Sequence, residues 1–243
     1  YNPDSETLRY FKGRFGFDSF REVSHPFVHC LAVMGSVGTV AYNRKSDFDY
    51  WACIDKRGVP EKQVAAFQKK VDEIQKWALK EAGVEVHIFI NDISNLKMNI
   101  FAEDDEEGFG STIGGVLKDE FFRSSIIIAG KTPFWWVIPG FVSDSDYEKL
   151  FAHIPEKERR DKYVDIGNLY RISREDFLGA ALFQLIKAIG NPFKSILKIG
   201  ILEKYLFSEG NAVLLSQKLK ASLQRGKLGN SVPDSYLIMF NEV

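Results

Sequence analysis

The chain has 243 residues, of which 45% are hydrophobic and 27% are charged, and its formal net charge is -1 at pH 7. This length accommodates one large or two modest domains with a substantial core. Because so small a net charge provides no general basic surface, nucleic acid is not expected as a partner, and any anion has to bind at a local site.

Cysteine usage and hydropathy indicate the compartment and the topology. Cys30 and Cys53 both lie in apolar, strand-like runs, which predicts buried reduced thiols instead of a disulfide framework. No run approaches the roughly 18 consecutive apolar residues of a membrane span, and the first residues lack the pattern of a signal peptide. We therefore expect no membrane span and a cytoplasmic location. Since the chain begins at Tyr1, we expect it to be part of a longer protein.

The first half of the chain has alternating and helical apolar periods in turn. Apolar residues at helical spacing predict one or two helical pieces within 5–22 and helices at 36–42 and 61–81. Buried or alternating runs predict strands at 27–34, 48–54 and 84–90. The order of these segments indicates a sheet with helical connections.

The second half is mainly helical by the same criteria. We predict a solvated acidic loop at 103–107, an aromatic strand at 134–138, and helices at 112–129, 143–154, 174–189, 193–207 and 212–225. The overall prediction is an α+β fold, with a catalytic unit over 1–130 and a mainly helical domain over 131–243 that helps to close the site. The boundary falls between 110 and 140, because the strand at 134–138 can return to the first sheet.

Two aspartates separated by one residue are the strongest indication of chemistry. Asp47 and Asp49 precede and begin a predicted strand, where residues i and i+2 point to the same face, roughly 6 to 7 Å apart. Two converging carboxylates favour a hard cation such as Mg²⁺ or Mn²⁺. The alternative is a polar turn, with one aspartate capping it and the other solvated.

Residues on either side of this pair complete a possible phosphate site. Gly35 and Ser36 follow a buried strand, where glycine allows a close approach of backbone amides and a following helix start would favour an anion. Glu85 lies on the next predicted strand, on the same face as His87, and is a candidate third carboxylate. Phosphate binding at one end and metal ligands at the other would suit phosphoryl or nucleotidyl transfer.

Cations for a bound triphosphate are predicted in the helical half. Lys187, Lys194 and Lys198 are spaced seven and four residues apart, near one helical face unless Pro192 interrupts the helix. The alternative is a solvated basic face without a ligand.

Arg123 and Lys131 are further candidates for phosphate binding. Arg123 has an alternative role as a structural partner of Asp119 or Glu120 on the same predicted helix. Lys131 belongs to an AGKT segment that is not a P-loop, because position 125 carries serine where that motif needs glycine.

Three short motifs resemble the nucleotidyltransferase fold of DNA polymerase β and its relatives. They are an hG[GS] turn, a [DE]h[DE]h pair and a later h[DE]h, found here as Met34-Gly35-Ser36, Asp47-Phe48-Asp49-Tyr50 and Val84-Glu85-Val86. Longer blocks narrow the resemblance to the class I adenylate cyclases, the bacterial cytoplasmic type, across nearly the whole chain. These blocks are MGSVG, SDFDYWAC, GVEVHIFI, DEFFR, AGKTPFWWVIP and the segment 177–205.

The resemblance implies conversion of ATP to 3′,5′-cyclic AMP and pyrophosphate with Mg²⁺ or Mn²⁺. It also implies a larger protein with a regulatory region, or a regulatory partner, outside this chain. By the motif, Asp47 and Asp49 would bind metal, and Gly35 and Ser36 would hold the triphosphate. Glu85 would complete the acidic triad or act as the base for the attacking hydroxyl.

Two departures from the family and two alternative functions stay open at this point. This chain has Asp-Phe-Asp where the family usually has Asp-Leu-Asp, and Asp92-Ile-Ser-Asn95 where many relatives have D-E-N-R, so it lacks an arginine there. One alternative is a nucleotidyltransferase that acts on RNA, a protein or a small molecule. The other is a non-catalytic nucleotide-binding relative, against which the three carboxylates argue.

Overall fold

A four-stranded mixed sheet organises the first half of the chain. The computed structural model describes residues 4–16, 26–101, 113–169, 171–190, 192–208, 212–226 and 234–243. Its strands are β1 (Val28–Met34), β2 (Phe48–Ile54), β3 (Val86–Asp92), β4 (Ile126–Gly130), β5 (Thr132–Pro133) and β6 (Tyr163–Val164). The sheet order is β3-β2-β1-β4, with β1 antiparallel to both of its neighbours and β2 parallel to β3. Strands β5 and β6 form a separate parallel pair.

Helices connect these strands and make up most of the second half. They are α1 (Ser5–Phe15), α2 (Glu61–Trp77), α3 (Ile93–Lys97), α4 (Gly114–Ser124), α5 (Asp144–His153), α6 (Glu156–Lys162), α7 (Arg174–Lys187), α8 (Pro192–Leu206), α9 (Leu215–Gln224) and α10 (Ser235–Glu242). Helix α2 continues as a π-helical turn over Ala78–Ala82 and ends at Gly83, whose φ is +64°. The α+β prediction, a mixed sheet followed by helices, is confirmed.

Three predicted elements differ from the structure. Residues 36–42 form successive turns instead of a helix, because Gly35 and Gly38 have φ of +94° and +75°. The predicted helix at 112–129 ends at Ser124, and the isoleucines that follow join the sheet as β4, where β-branched side chains are favoured. The predicted strand at 134–138 is a short 3-10 helix, Phe134–Val137.

Other predictions are confirmed or lie outside the described residues. Both cysteines are free and buried, as expected. The later part of the predicted helical segment 5–22 and the acidic loop at 103–107 fall outside the described ranges. Across those ranges, every helix is too short or too polar to cross a bilayer.

The core runs without a break from the sheet into the helical half. Four consecutive β2 residues, Trp51–Ile54, are buried, so both faces of the strand are covered. Trp51 stacks on Phe121 of α4 with ring centroids 4.4 Å apart, and Phe122 of α4 stacks on Trp135 at 4.2 Å. The same cluster includes Leu202 of α8, Leu215 of α9 and Met239 of α10. Helix α4 therefore joins the sheet to the later helices.

Candidate functional site

The turn after β1 lies directly beside the acidic pair. A Cβ atom added to Gly35 would come within 3.7 Å of Asp49 Oδ2, and the positive φ at this position disfavours other residues. The Gly35 N–H donates to Ser124 Oγ at 3.2 Å, which attaches the turn to the last turn of α4. Ser36 is buried. Because no helix starts at this turn, the helix dipole that we predicted here makes no contribution to anion binding.

Asp49 lies in β2, and Asp47 immediately precedes the strand, close enough for its charge to act on Asp49. Asp49 lies opposite Met34 on β1 and opposite His87 on β3. Asp47 is exposed and Asp49 is half-buried. Burial, followed by the neighbouring charge of Asp47, raises the pKa of Asp49 to about 6. This pair holds excess negative charge that a cation would neutralise.

Glu85 lies next to the pair, and its carboxylate contacts His87, the β3 neighbour of Asp49. Its carbonyl accepts a hydrogen bond from the Phe48 N–H at 3.0 Å, which aligns β3 with β2. Its carboxylate lies 3.2 Å from His87 Nε2, and the side chain is 65% exposed. Among the described residues, no three Asp, Glu, His or Cys side chains converge into a metal cluster. The acidic triad therefore stays a prediction.

Helix α4 places a buried charge network against this face. Glu120 accepts hydrogen bonds from Lys198 Nζ at 2.8 Å (Oε1) and 3.1 Å (Oε2). Arg123 lies 3.5 Å from Asp119 Oδ2 and 3.7 Å from Glu120 Oε2, and its side chain is only 7% exposed. Of its two predicted roles, the geometry favours the structural ion pair, because the guanidinium lies buried between two carboxylates.

The three predicted lysines come from two helices but reach the same region. Lys187 ends α7. Its positive charge acts to lower the pKa values of both Asp49 and Glu120, although burial and Asp47 leave the pKa of Asp49 raised overall. Lys198 of α8 holds Glu120, and Lys194, one turn earlier, lies 3.5 Å from Ser46 Oγ, beside the acidic pair. The break before α8 does not separate these lysines, because α7 and α8 pack against each other.

Lys131 lies at the other end of the sheet. Its backbone N–H donates to the His29 carbonyl at 2.7 Å, and its Nζ lies 3.1 Å from His29 Nδ1. His29 is the second residue of β1 whereas Gly35 follows the end of β1, a separation of about 20 Å along an extended strand. The structure therefore does not bring Lys131 to the carboxylates.

Tyr236 of α10 lies close enough to this region for its charges to act on the phenol, a position that the sequence did not indicate. Burial raises the pKa of its phenol, and the charges of Glu120, Asp47 and Asp49 raise it further. The N-cap of this helix, Asp234, accepts the Val40 N–H at 2.7 Å, which attaches α10 to the turn after β1. No local pattern predicts this contact, because the two residues are 194 positions apart.

The arrangement suits a ligand that carries both a metal and a polyanion. Carboxylates on the sheet lie near lysines from α7 and α8. The carboxylates would neutralise a divalent cation, and the lysines would neutralise phosphates. A cavity between α4 and α8, about 40 Å³, is far smaller than the roughly 300 Å³ or more of a ligand pocket. Paired acids on a mixed sheet, opposed by lysines, are suited to phosphoryl and nucleotidyl transfer.

Comparison with known proteins identifies the family. The family model described as "Adenylate cyclase NT domain" matches residues 1–136, and "Adenylate cyclase, class-I, second domain" matches residues 172–243. The chain belongs to the class-I adenylate cyclase family.

Several relatives named adenylate cyclase are similar along most of this chain. That of Pasteurella multocida is 34% identical over 211 residues, which are 85% of this chain and 25% of the relative. That of Escherichia coli K12 is 30% identical over 250 residues, 100% of this chain and 29% of the relative. The chain thus spans about a quarter of the length of these curated relatives. A spectinomycin adenyltransferase from Enterococcus faecialis, solved with ATP and spectinomycin, has a TM-score of 0.39 and 12% identity, and the likeness covers 88% of this chain and 89% of that one.

Proposed function

We propose that this chain converts ATP to 3′,5′-cyclic AMP and pyrophosphate, by attack of the ribose 3′-hydroxyl on the α-phosphorus. The observation that carries the proposal is the pair Asp47 and Asp49 at the start of β2, with Lys187 acting on Asp49 and Lys198 held by the neighbouring Glu120, in a chain of the class-I adenylate cyclase family.

The acidic pair fits a divalent cation. Asp49 is half-buried next to a second carboxylate, and a cation would remove the repulsion that raises its pKa. Asp47 and Asp49 would hold Mg²⁺ or Mn²⁺, with Glu85 joining after rotation of its exposed side chain. When bound, the metal would make the ribose hydroxyl more acidic and stabilise the charge of departing pyrophosphate.

The other groups would bind and orient the nucleotide. Lys187, Lys194 and Lys198 would contact the triphosphate, because ammonium groups bind phosphate oxygens. Lys187 acts on Asp49, Lys194 reaches Ser46 next to Asp47, and Lys198 is held at Glu120. The turn at Gly35 and Ser36 would let the triphosphate approach the backbone closely. Chemistry of this kind depends mainly on positioning and charge neutralisation, so it requires no nucleophilic side chain.

The remaining proposals concern the organisation of the protein. We propose a catalytic unit over 1–130 and a helical part over 131–243 that supplies lysines to the site. The family suggests a cytoplasmic location and a regulatory region in the part of the longer relatives that this chain does not cover.

The test substitutes each aspartate by asparagine, which keeps the size and removes the charge. We expect Asp47→Asn and Asp49→Asn each to reduce cyclic AMP formation at least a hundredfold, about the effect of removing one electrostatic stabiliser of a transition state. Asp55→Asn, at the other end of β2, is the matched control and should retain activity. Products from ATP and Mg²⁺ without an acceptor are separated by chromatography, and circular dichroism verifies the fold.

Two results would reject the proposal. One is near-normal activity in either variant at the acidic pair. The other is the absence of cyclic AMP from the unmodified protein together with nucleotide transfer to an added acceptor, which would instead support a nucleotidyltransferase.

A further inference from the structure

Glu120 is a charged group beside the acidic pair for which the proposed reaction has no use. Its carboxylate is 12% exposed, and its backbone carbonyl accepts the Ser124 hydroxyl at 2.7 Å. Ser124 Oγ in turn accepts the Gly35 N–H, so Glu120 is anchored to the turn after β1. A third carboxylate beside Asp49 adds repulsion, and its charge raises the pKa of Asp49. Its position therefore needs a separate explanation.

Attachment of α4 to the helical half does not explain Glu120. The preceding residue, Asp119, already makes this connection, because its Oδ1 accepts the Ser216 N–H at the start of α9 at 3.1 Å. Stacking of Phe122 on Trp135 adds a second link between the same parts of the chain. Besides its 3.7 Å contact with Arg123, Glu120 directs both carboxylate oxygens to the lysine that the proposed reaction uses.

The geometry of the Glu120 and Lys198 pair leaves the lysine able to bind a ligand. Lys198 donates to both carboxylate oxygens, at 2.8 and 3.1 Å, and a lysine ammonium has three N–H donors. One donor therefore remains, and the side chain is 21% exposed, so the ammonium is held but still accessible.

The charges around Glu120 keep it ionised throughout the working range of pH. Burial alone would raise the pKa of its carboxyl, but the charges of Lys198, Arg123 and Lys187 outweigh burial and bring the pKa to about 2. A permanent negative charge restrains the long side chain of Lys198, which otherwise loses rotamer freedom when a nucleotide binds.

We propose that Glu120, whose charge acts on Asp49, is a positioning residue of the nucleotide site: it holds the Lys198 ammonium in place before ATP arrives, and the remaining N–H of Lys198 binds the triphosphate. This inference rests on the proposed function in taking ATP as the ligand. Glu120 acts through Lys198 and touches neither the nucleotide nor the reacting atoms.

A double-mutant cycle tests the coupling. The variants are Glu120→Gln, Lys198→Met and both together. The matched control is Glu242→Gln, which removes the charge that pairs at 2.7 Å with Lys204 of α8, the helix that also carries Lys198. Affinity is measured by titration calorimetry with Mg²⁺ and 3′-deoxy-ATP, which lacks the attacking hydroxyl. The kcat and KM for cyclic AMP formation and the melting temperature are measured in parallel.

We expect Glu120→Gln to weaken 3′-deoxy-ATP binding and raise KM about tenfold, with kcat nearly unchanged, because a charge-assisted hydrogen bond is replaced by a neutral one. In the Lys198→Met background, the same change should have no further effect. Glu120→Asp keeps the charge, so its affinity for 3′-deoxy-ATP should fall between those of the unmodified protein and Glu120→Gln. It replaces the glutamine variant in the cycle if that variant does not fold.

Additive effects of the two substitutions would overturn the inference, because Glu120 would then not act through Lys198. Tighter nucleotide binding by Glu120→Gln would also overturn the inference, since Glu120 would then only repel phosphate. Equal weakening of binding by Glu242→Gln would overturn it as well. The binding measurements separate this inference from the proposed function. If the unmodified protein forms no cyclic AMP but the two substitutions affect 3′-deoxy-ATP binding non-additively, the proposed function is rejected and the role of Glu120 in positioning Lys198 is supported.

Discussion

Replacement of Lys118 by methionine should stabilise the protein, in a manner that depends on pH. Lys118 of α4 is fully buried, and its ammonium has no hydrogen-bond partner among the described residues. Burial lowers its pKa from 10.5 to about 7, against the attraction of Asp165 and Asp144. At about 1.4 kcal/mol per pH unit, a charged Lys118 costs the folded state about 5 kcal/mol.

The sign of the pH dependence follows from the two pKa values. Between pH 7 and 10.5 the unfolded chain holds this proton and the folded chain releases it, so stability rises with pH through this range. Below pH 7 both states are protonated and the full cost of burial remains. The gain from Lys118→Met should thus be about 5 kcal/mol at pH 6 and about 2 kcal/mol at pH 9, because methionine fills similar space without a charge.

Urea unfolding at the two pH values measures this difference, since the other titrating groups cancel between the variant and the unmodified protein. Lys220→Met is the matched control. Lys220 is equally buried, but its ammonium donates to the Trp135 carbonyl and lies 4.0 Å from the centre of the Trp135 ring. Its loss should stabilise the protein less than that of Lys118 or not at all, because burial lowers its pKa only to about 8 and the carbonyl loses its partner. A loss of stability in Lys118→Met, or an equal gain at both pH values, would refute the reasoning.

Two further predictions concern the site. Gly35→Ala should lower the free energy of unfolding by about 1 to 2 kcal/mol, because its φ of +94° disfavours a side chain, and slow cyclic AMP formation, because the turn lies beside Asp49. Steady-state kinetics and urea unfolding measure the two effects, and unchanged activity would contradict the assigned turn. Lys131→Ala should leave KM for ATP unchanged whereas Lys187→Ala raises it, and the reverse order would contradict the placement of the two lysines.

The acidic strand was predictable because its pattern is local. Alternation over 48–54 gives the bounds of β2, and a period of two predicts that Asp47 and Asp49 share a face. By contrast, a short apolar run such as 126–130 has no period that separates a strand from a helix, and only its pairing with β1 decides. The turn at 36–42 was missed because the φ of Gly38 does not follow from a hydrophobic pattern.

The cationic side of the site was predictable only in part. The spacing of Lys187, Lys194 and Lys198 indicated a shared face, but the partner of Lys198 is 78 residues away in sequence. Such a contact depends on how α8 packs on α4, which no local period specifies. The same limit explains why Lys131 was a reasonable candidate from the sequence although it lies at the far end of β1.

The acidic and basic groups of the site come from different halves of the chain, and α4 is the element that both halves contact. The carboxylates belong to the sheet, whereas Lys187 and Lys198 belong to α7 and α8. Helix α4 contacts the sheet through Phe121, the turn after β1 through Ser124, and α8 through Glu120. Because these three residues lie within two turns of one helix, a shift of α4 would change the distance between the carboxylates and the lysines. Packing of the helical half therefore sets the charge balance at the site as well as the stability of the fold.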